Sequence, residues 1–294
     1  MPTGIIIVII SGVIAGLFLF LYMCCEARSL SVETIVLDGK TVDGAGTSAV
    51  QENAAFGLRA LHLSDIHIRY MKVPFDKIVK AVLDTRPDVI FLTGDYIEKR
   101  DDIPPFLDWL AKLGTIQNSE TPTPIYLCYG NHDLRVYKKE KRSGLSELTK
   151  LLKKQGIFVL DNRSVVLVHK GNRYGITGFS DLTKYPFQPE KALAGCDKSA
   201  RYHIGLAHNP DTVLRLRPAA VDILLSGHFH GGQIWMPFHL EYRCLRREKL
   251  CKQGVYQGLH NINGVQIYIS RGLGCVLFPL RFCSKPQVTL LLLP

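Results

Sequence analysis

Five short fragments carry side chains able to hold a metal or move a proton. They are Leu63-Ser64-Asp65-Ile66-His67, Thr93-Gly94-Asp95, Tyr129-Gly130-Asn131-His132-Asp133, Leu206-Ala207-His208 and Ser226-Gly227-His228-Phe229-His230-Gly231-Gly232. Carboxylates, imidazoles and an amide, with no thiolate among them, suit Mn, Fe or Zn rather than a structural zinc. Asp65-x-His67 and His228-x-His230 each set two donors two residues apart, so on an extended backbone both would point to one side. A carboxylate shared by two ions allows them to sit about 3.5–4 Å apart, the spacing that holds a phosphoryl group and activates a bridging water. Any one fragment is ordinary, since an Asp after Gly caps many turns. Their ordered recurrence, each behind an apolar run, carries the reading.

The elements that must position these groups are short strands. Val89-Ile90-Phe91-Leu92 runs straight into Thr93-Gly94-Asp95, which reads as a fully buried strand delivering a carboxylate at its C-terminal end. Open α/β sheets build their sites there. Strands are expected at Leu58–Leu63, Asp88–Leu92 and Ile125–Tyr129, with helices at Phe75–Leu83, Ile103–Leu113 and Leu145–Lys154 between and after them. Ile157–Leu160, Val165–Val168 and Tyr174–Thr177 follow as short strands separated by Asn-Arg and Gly-Asn turns, which implies antiparallel pairing. His203–Ala207, Asp211–Leu216 and Ile223–Leu225 return to strand, helix, strand, and Val265–Ile269 and Val288–Leu293 close the chain as strands. A chain that begins βαβα and ends strand-rich implies an α/β (α+β) fold: a four-layer α/β/β/α sandwich of two facing mixed sheets.

At 294 residues and 47% hydrophobic, the chain can build one large catalytic domain. Ile5 to Met23 is an uncharged apolar run of about 19 residues, near the ~20 that span a bilayer as a helix. No Lys or Arg precedes it, and Tyr22-Met23-Cys24-Cys25 lacks a small-x-small cleavage pattern, which favours an anchor over a cleaved signal. The expected organisation is an anchor over 1–30 in the plasma membrane, a linker over 31–57 with a first strand near Val32–Leu37, and a catalytic domain over 58–294. The flanking charges leave the side of the membrane open.

The net charge of +10 points to an anionic partner. Lys138–Arg142 and the cluster Arg243, Arg246, Arg247, Lys249 and Lys252 are either solvated surface or the rim of the site. In the second case Arg243, Arg246 and Arg247 are substrate-binding candidates, meeting substrate phosphates or anionic lipid. The eight cysteines form no framework, although Cys244 and Cys251 flank a basic segment and could bridge. Five of the ten histidines lie in the motifs; His62, His169, His203, His239 and His260 read as structural.

The order DxH, GD, GNHD, H, GHxH resembles the calcineurin-like metallophosphoesterase superfamily from about Leu58 to Leu293. The similarity extends to its bacterial membrane-anchored phosphodiesterase branch, relatives of which include UDP-2,3-diacylglucosamine hydrolases. Ser270-Arg271-Gly272-Leu273-Gly274 and Pro279-Leu280-Arg281-Phe282 also look like that branch. The resemblance implies that Asp65, His67 and His230 hold one divalent ion and Asn131, His208 and His228 another, with Asp95 bridging them. It further implies that a hydroxide between the ions attacks phosphorus, that His132 stabilises the transition state or protonates the leaving group, and that Asp133 orients His132. A lipid-linked phosphodiester or diphosphate fits a basic, anchored enzyme, whereas nucleic acid gives no reason for the membrane segment. A phosphodiesterase acting on nucleotides or nucleic acid and a non-catalytic tethered scaffold are the alternatives.

Overall fold

The computed structural model describes residues 3–37, 56–116, 122–137, 142–182 and 186–294. In the first half α1 (Thr3–Ala27), β1 (Ser31–Val36), β2 (Leu58–Leu63), α2 (Phe75–Thr85), β3 (Val89–Thr93), α3 (Ile103–Gly114), β4 (Ile125–Cys128), α4 (Asn131–Val136), α5 (Arg142–Lys154) and β5 (Phe158–Val159) follow in order. The second half has β6 (Arg163–His169), β7 (Asn172–Gly178), α6 (Pro189–Ala194), β8 (Tyr202–Leu206), β9 (Ile223–Ser226), α7 (Leu240–Arg243), α8 (Lys249–Lys252), β10 (Gly258–Ile262), β11 (Val265–Ile269) and β12 (Gln287–Leu293).

Two mixed sheets result, ordered β1-β12-β2-β3-β4-β5 and β10-β11-β9-β8-β7-β6. β2, β3, β4 and β5 are parallel to one another, as are β7, β8, β9 and β11. β3 shows why the sheets face each other. All five of its residues are buried. Val89 and Phe91 enter the inter-sheet core with Leu58, Leu206 and Leu225. Ile90 and Leu92 face the other way, into the cluster shared with Ile78 of α2, Phe106 and Leu110 of α3 and Leu148 of α5. Burying such side chains is worth about 1.5–3 kcal/mol each, so four of them hold the strand end that carries Asp95 firmly. The outer face of the second sheet is covered by Val213, Leu216, Tyr242 and Leu250 from short helical pieces. The four-layer arrangement follows.

Local patterns misplace two elements. β5 does not join an antiparallel meander; it pairs in parallel with β4 at the edge of the first sheet, where Phe158 stacks on Tyr126 at 4.6 Å. That contact is long-range and leaves no trace in a turn pattern. Only β6 and β7 pair antiparallel there. The helix expected at Asp211–Leu216 is a 3-10 segment over Pro210–Arg215, started by Pro210 and capped by the Asn209 side chain, which accepts the Asp211 N–H. Tightening such a short piece satisfies its end groups locally.

The strand near Val32 is β1, hydrogen-bonded in parallel with β12 at the other edge. α1 is 25 residues long and apolar enough to cross a membrane, and its side chains are exposed over 4–22. Its last turns lie on the catalytic fold. Glu26 is buried and accepts the Ser284 N–H at 2.6 Å and the Cys283 N–H at 3.2 Å, the Arg281 N–H donates to Met23 O, and the Tyr22 ring meets Phe282 edge-on. Cys244 and Cys251 are both free thiols. Of the basic segment Lys138–Arg142, positions 138 to 141 lie outside the described residues.

Candidate metal centre

β2, β3 and β4 of one sheet and β8 and β9 of the other end at a common edge, and each motif begins just past one of these ends. The side chains do not converge by strand alternation. Asp65 (φ 50°), His67 (φ 38°), Asp95 (φ 58°), His228 (φ 74°) and His230 (φ 54°) all adopt left-handed backbone, so the extended DxH and HxH geometry expected above is not what aligns them. Such conformations cost about 1–3 kcal/mol each and persist only where the surroundings impose them. Here Asp65 N–H donates to Gly94 O, His67 N–H to Asp95 O and Gly274 N–H to Asp65 O, so three loops pin one another. Glycine is required at the closest approach: a Cβ on Gly227 would fall onto Ser64 Oγ and the Asp65 carboxylate.

The seven candidate ligands meet in one buried pocket of donor atoms. His230 Nε2 lies 3.2 Å from Asp65 Oδ1 and 3.3 Å from His67 Nε2. His208 Nε2 lies 3.1 Å from Asp95 Oδ2, 3.1 Å from Asn131 Oδ1 and 3.0 Å from His228 Nδ1. Asp95 Oδ2 stands between the groups, 3.7 Å from His67 Nε2 and 3.9 Å from His132 Nε2. The donor atoms of Asp65, His67 and His230, of Asp95, His208 and His228, and of His67, Asp95 and His132 each fall within 4.8 Å of one another.

Tethers on the far side of the rings decide which nitrogen faces in. Glu98 Oε1 holds His67 Nδ1 at 2.6 Å, Thr93 O accepts from His208 Nδ1 at 2.8 Å, and Glu248 Oε1 holds His228 Nε2 at 2.8 Å. This is how metal-binding imidazoles are usually oriented. Burial pushes His230 down to about 3, which keeps that imidazole neutral and able to donate a lone pair. Imidazole nitrogens converging on carboxylates and an amide oxygen, three of them with the outer nitrogen tied and His230 with its outer Nδ1 buried and unbonded, fit a divalent metal.

His132 is held differently. Its backbone N–H donates to Asp95 Oδ1 at 2.8 Å, and its ring Nδ1 is bound by Glu98 Oε2 at 2.7 Å. Burial opposes protonation of His132, but the hydrogen bond to Glu98 and the charge of Asp95 raise its pKa above the ordinary imidazole value. Burial likewise opposes ionisation of Glu98, yet His132 and His67 bring its carboxyl down to about 2. Asp133, expected to orient His132, has another task. Its carboxylate accepts backbone N–H groups of Asp95, Tyr96, Ile97 and Gly130 and so stitches the β3 turn to the β4 turn.

Residues 58–232 match the calcineurin-like phosphoesterase family, more than half of the chain. The chain belongs to that family. This phosphoesterase is 31% identical over 273 residues to the uncharacterized metallophosphoesterase YkoQ of Bacillus subtilis strain 168, covering 92% of this chain and 93% of the relative. It is 32% identical over 246 residues to phosphodiesterase YaeI of Escherichia coli K12, covering 82% and 83%. UDP-2,3-diacylglucosamine pyrophosphatase LpxG of Chlamydia trachomatis is 25% identical over 284 residues, covering 80% and 83%. The family is metal-dependent, and the donor groups described above supply the means.

Of the three candidate arginines, Arg246 reaches the phosphoesterase site, donating to His228 O at 2.8 Å with its guanidinium over the Phe229 ring. Arg243 and Arg247 are exposed on the same loop. Sequence reasoning missed Glu98 and Glu248. Glu98 had one available signal, its place three residues after Asp95 on the same turn. Glu248 had none, since it arrives from a loop 20 residues beyond its partner.

Proposed function

We propose that this phosphoesterase hydrolyses a phosphodiester or diphosphate bond of a lipid-linked substrate, at a plasma membrane into which α1 anchors it. The convergence of two donor groups on Asp95 carries this reading. Asp65, His67 and His230 would hold one ion and Asn131, His208 and His228 another, with Asp95 available to both; Mn, Fe or Zn suits these nitrogen and oxygen donors. When bound, such a pair supplies Lewis acidity at phosphoryl oxygens and activates water for attack on phosphorus. His132 gives its Nδ1 proton to the hydrogen bond with Glu98 and presents Nε2–H to the leaving-group oxygen, a role that its raised pKa favours. Arg246 stands at the rim to receive a substrate phosphate, with Arg243 and Arg247 further out.

The lipid component draws on two supports: the apolar length of α1 and the similarity to relatives named for phosphodiester and UDP-2,3-diacylglucosamine cleavage. Nucleic acid is not the expected substrate. The test begins with metal analysis of the purified full chain and hydrolysis of bis(p-nitrophenyl) phosphate against p-nitrophenyl phosphate. UDP-2,3-diacylglucosamine, phospholipids and cyclic nucleotides are then compared with Mn added back. Preference for the diester and for a lipid-linked substrate is the expected result. Preference for cyclic nucleotides would transfer the enzyme to soluble substrates, and a metal-loaded protein inert on every compound would sink the catalytic reading.

A further inference from the structure

Two loops that frame the metal centre expose large apolar side chains toward the solvent. The first leaves the site at His230 and returns to it at Arg246; between them Trp235, Phe238, Leu240 and Leu245 are 42%, 77%, 42% and 70% exposed. The second begins at Gly274, whose N–H donates to Asp65 O, and ends at Ser284, whose hydroxyl donates to His230 O; at its tip Leu277 and Phe278 are 75% and 62% exposed. Scattered exposed apolar residues are normal. These are not scattered. The Gln233 side chain donates to Val276 O and Phe278 O and accepts the Val276 N–H, while Trp235 N–H donates to Phe282 O and Phe282 N–H to Gln233 O, so the loops form one unit. Phe238 (φ 60°) and Leu277 (φ 64°) occupy left-handed backbone, a conformation that bulky residues adopt only under constraint. Both side chains are exposed there.

The same unit is attached to α1. The backbone N–H of Arg281 donates to Met23 O and those of Cys283 and Ser284 to the Glu26 carboxylate, and only three residues separate the end of α1 from β1 of the sheet. The helix therefore joins the fold without a flexible tether, and the apolar rim continues from the point where the helix leaves the domain. Exposed Arg243 lies within the first loop and exposed Arg247 and Lys249 just beyond it, placing cations beside the apolar side chains as suits an acyl boundary and its phosphates.

We propose that the 235–245 and 276–278 loops dip into the headgroup–acyl boundary of the bilayer that α1 crosses, pressing the mouth of the metal centre against the lipid surface so that substrate enters from the membrane. This rests on the anchored reading of α1 given above. The bound occupant is lipid, because the patch is continuous with a membrane-length apolar helix and is flanked by cations.

Trp235 makes the proposal measurable. The chain has two tryptophans, and Trp109 is buried in the core at 5% exposure. The full chain is reconstituted into phosphatidylcholine–phosphatidylglycerol vesicles containing phosphatidylcholine brominated near the headgroup end of its acyl chain. Interfacial insertion should quench about half of the emission that Trp235→Phe removes. A variant carrying Phe238→Ser, Leu277→Ser and Phe278→Ser should lose most of that quenching while its hydrolysis of bis(p-nitrophenyl) phosphate stays unchanged. Flotation separates the two readings. A wild-type chain that floats with the vesicles but shows no quenching of Trp235, or a triple variant quenched as strongly as wild type, overturns the docking and leaves the anchor standing. A wild-type chain that fails to float overturns the anchor itself.

Discussion

His132 and Glu98 form a dyad: the ring Nδ1 of His132 lies 2.7 Å from Glu98 Oε2, and the other carboxylate oxygen holds His67 at 2.6 Å. One side chain thus orients both a metal-ligand candidate and the candidate acid. Glu98→Gln should lower kcat by roughly 10–100-fold at saturating Mn. Because much of that loss acts through His132, adding Glu98→Gln to His132→Ala should cost little more. A double-mutant cycle on bis(p-nitrophenyl) phosphate reads the coupling, and additive losses would assign Glu98 an independent role.

Asp95 and His132 should fail in different ways, although their side chains are neighbours. Asp95→Ala removes the carboxylate between the two donor groups, so metal content and activity should disappear together. His132→Ala should keep its metal and lose about 10²–10⁴ in kcat. Elemental analysis beside kinetics separates them, and metal loss in His132→Ala would make His132 a ligand.

Asp133 should prove to be a stability residue. Removing its carboxylate strands backbone N–H groups of Asp95, Tyr96, Ile97 and Gly130 in a buried turn. Each unsatisfied donor costs about 1–3 kcal/mol, so Asp133→Ala should lower Tm by roughly 10 °C or more. Asp133→Asn keeps an acceptor oxygen and should lose less. Thermal unfolding of both variants checks the order, and an unchanged Tm in Asp133→Ala would refute the role.

The end of α1 predicts where the helix can be cut. Deleting residues 1–22 keeps Glu26, whose carboxylate accepts the Cys283 and Ser284 N–H groups. Deleting residues 1–30 removes it and should cost about 1–3 kcal/mol. The loss should also loosen Ser284, whose hydroxyl holds His230 O. Thermal melts and diester hydrolysis of the two truncations test this, and equal stability would mean that the helix end only rests on the loop.

The sequence by itself determined the parts that depend on local pattern and side-chain chemistry. Runs such as Val89–Leu92 announce strands buried on both faces, and the donor residues behind them announce a metal-binding site, because burial period and ligand type are both written in neighbouring residues, while the phosphoesterase reading came from the resemblance of the ordered motifs to a known family. The apolar length of α1 is legible for the same reason. Tertiary structure decided the rest. Asp65 bonds the backbone of His228 across 163 residues, and such contacts, not strand alternation, hold five site residues in left-handed backbone. They also bring Glu248 onto His228, turn Asp133 from a partner of His132 into a staple between strands, and place β5 beside β4. Local periodicity records which face of an element is buried. The direction of a side chain beyond the strand end is set by dihedral angles that distant residues impose.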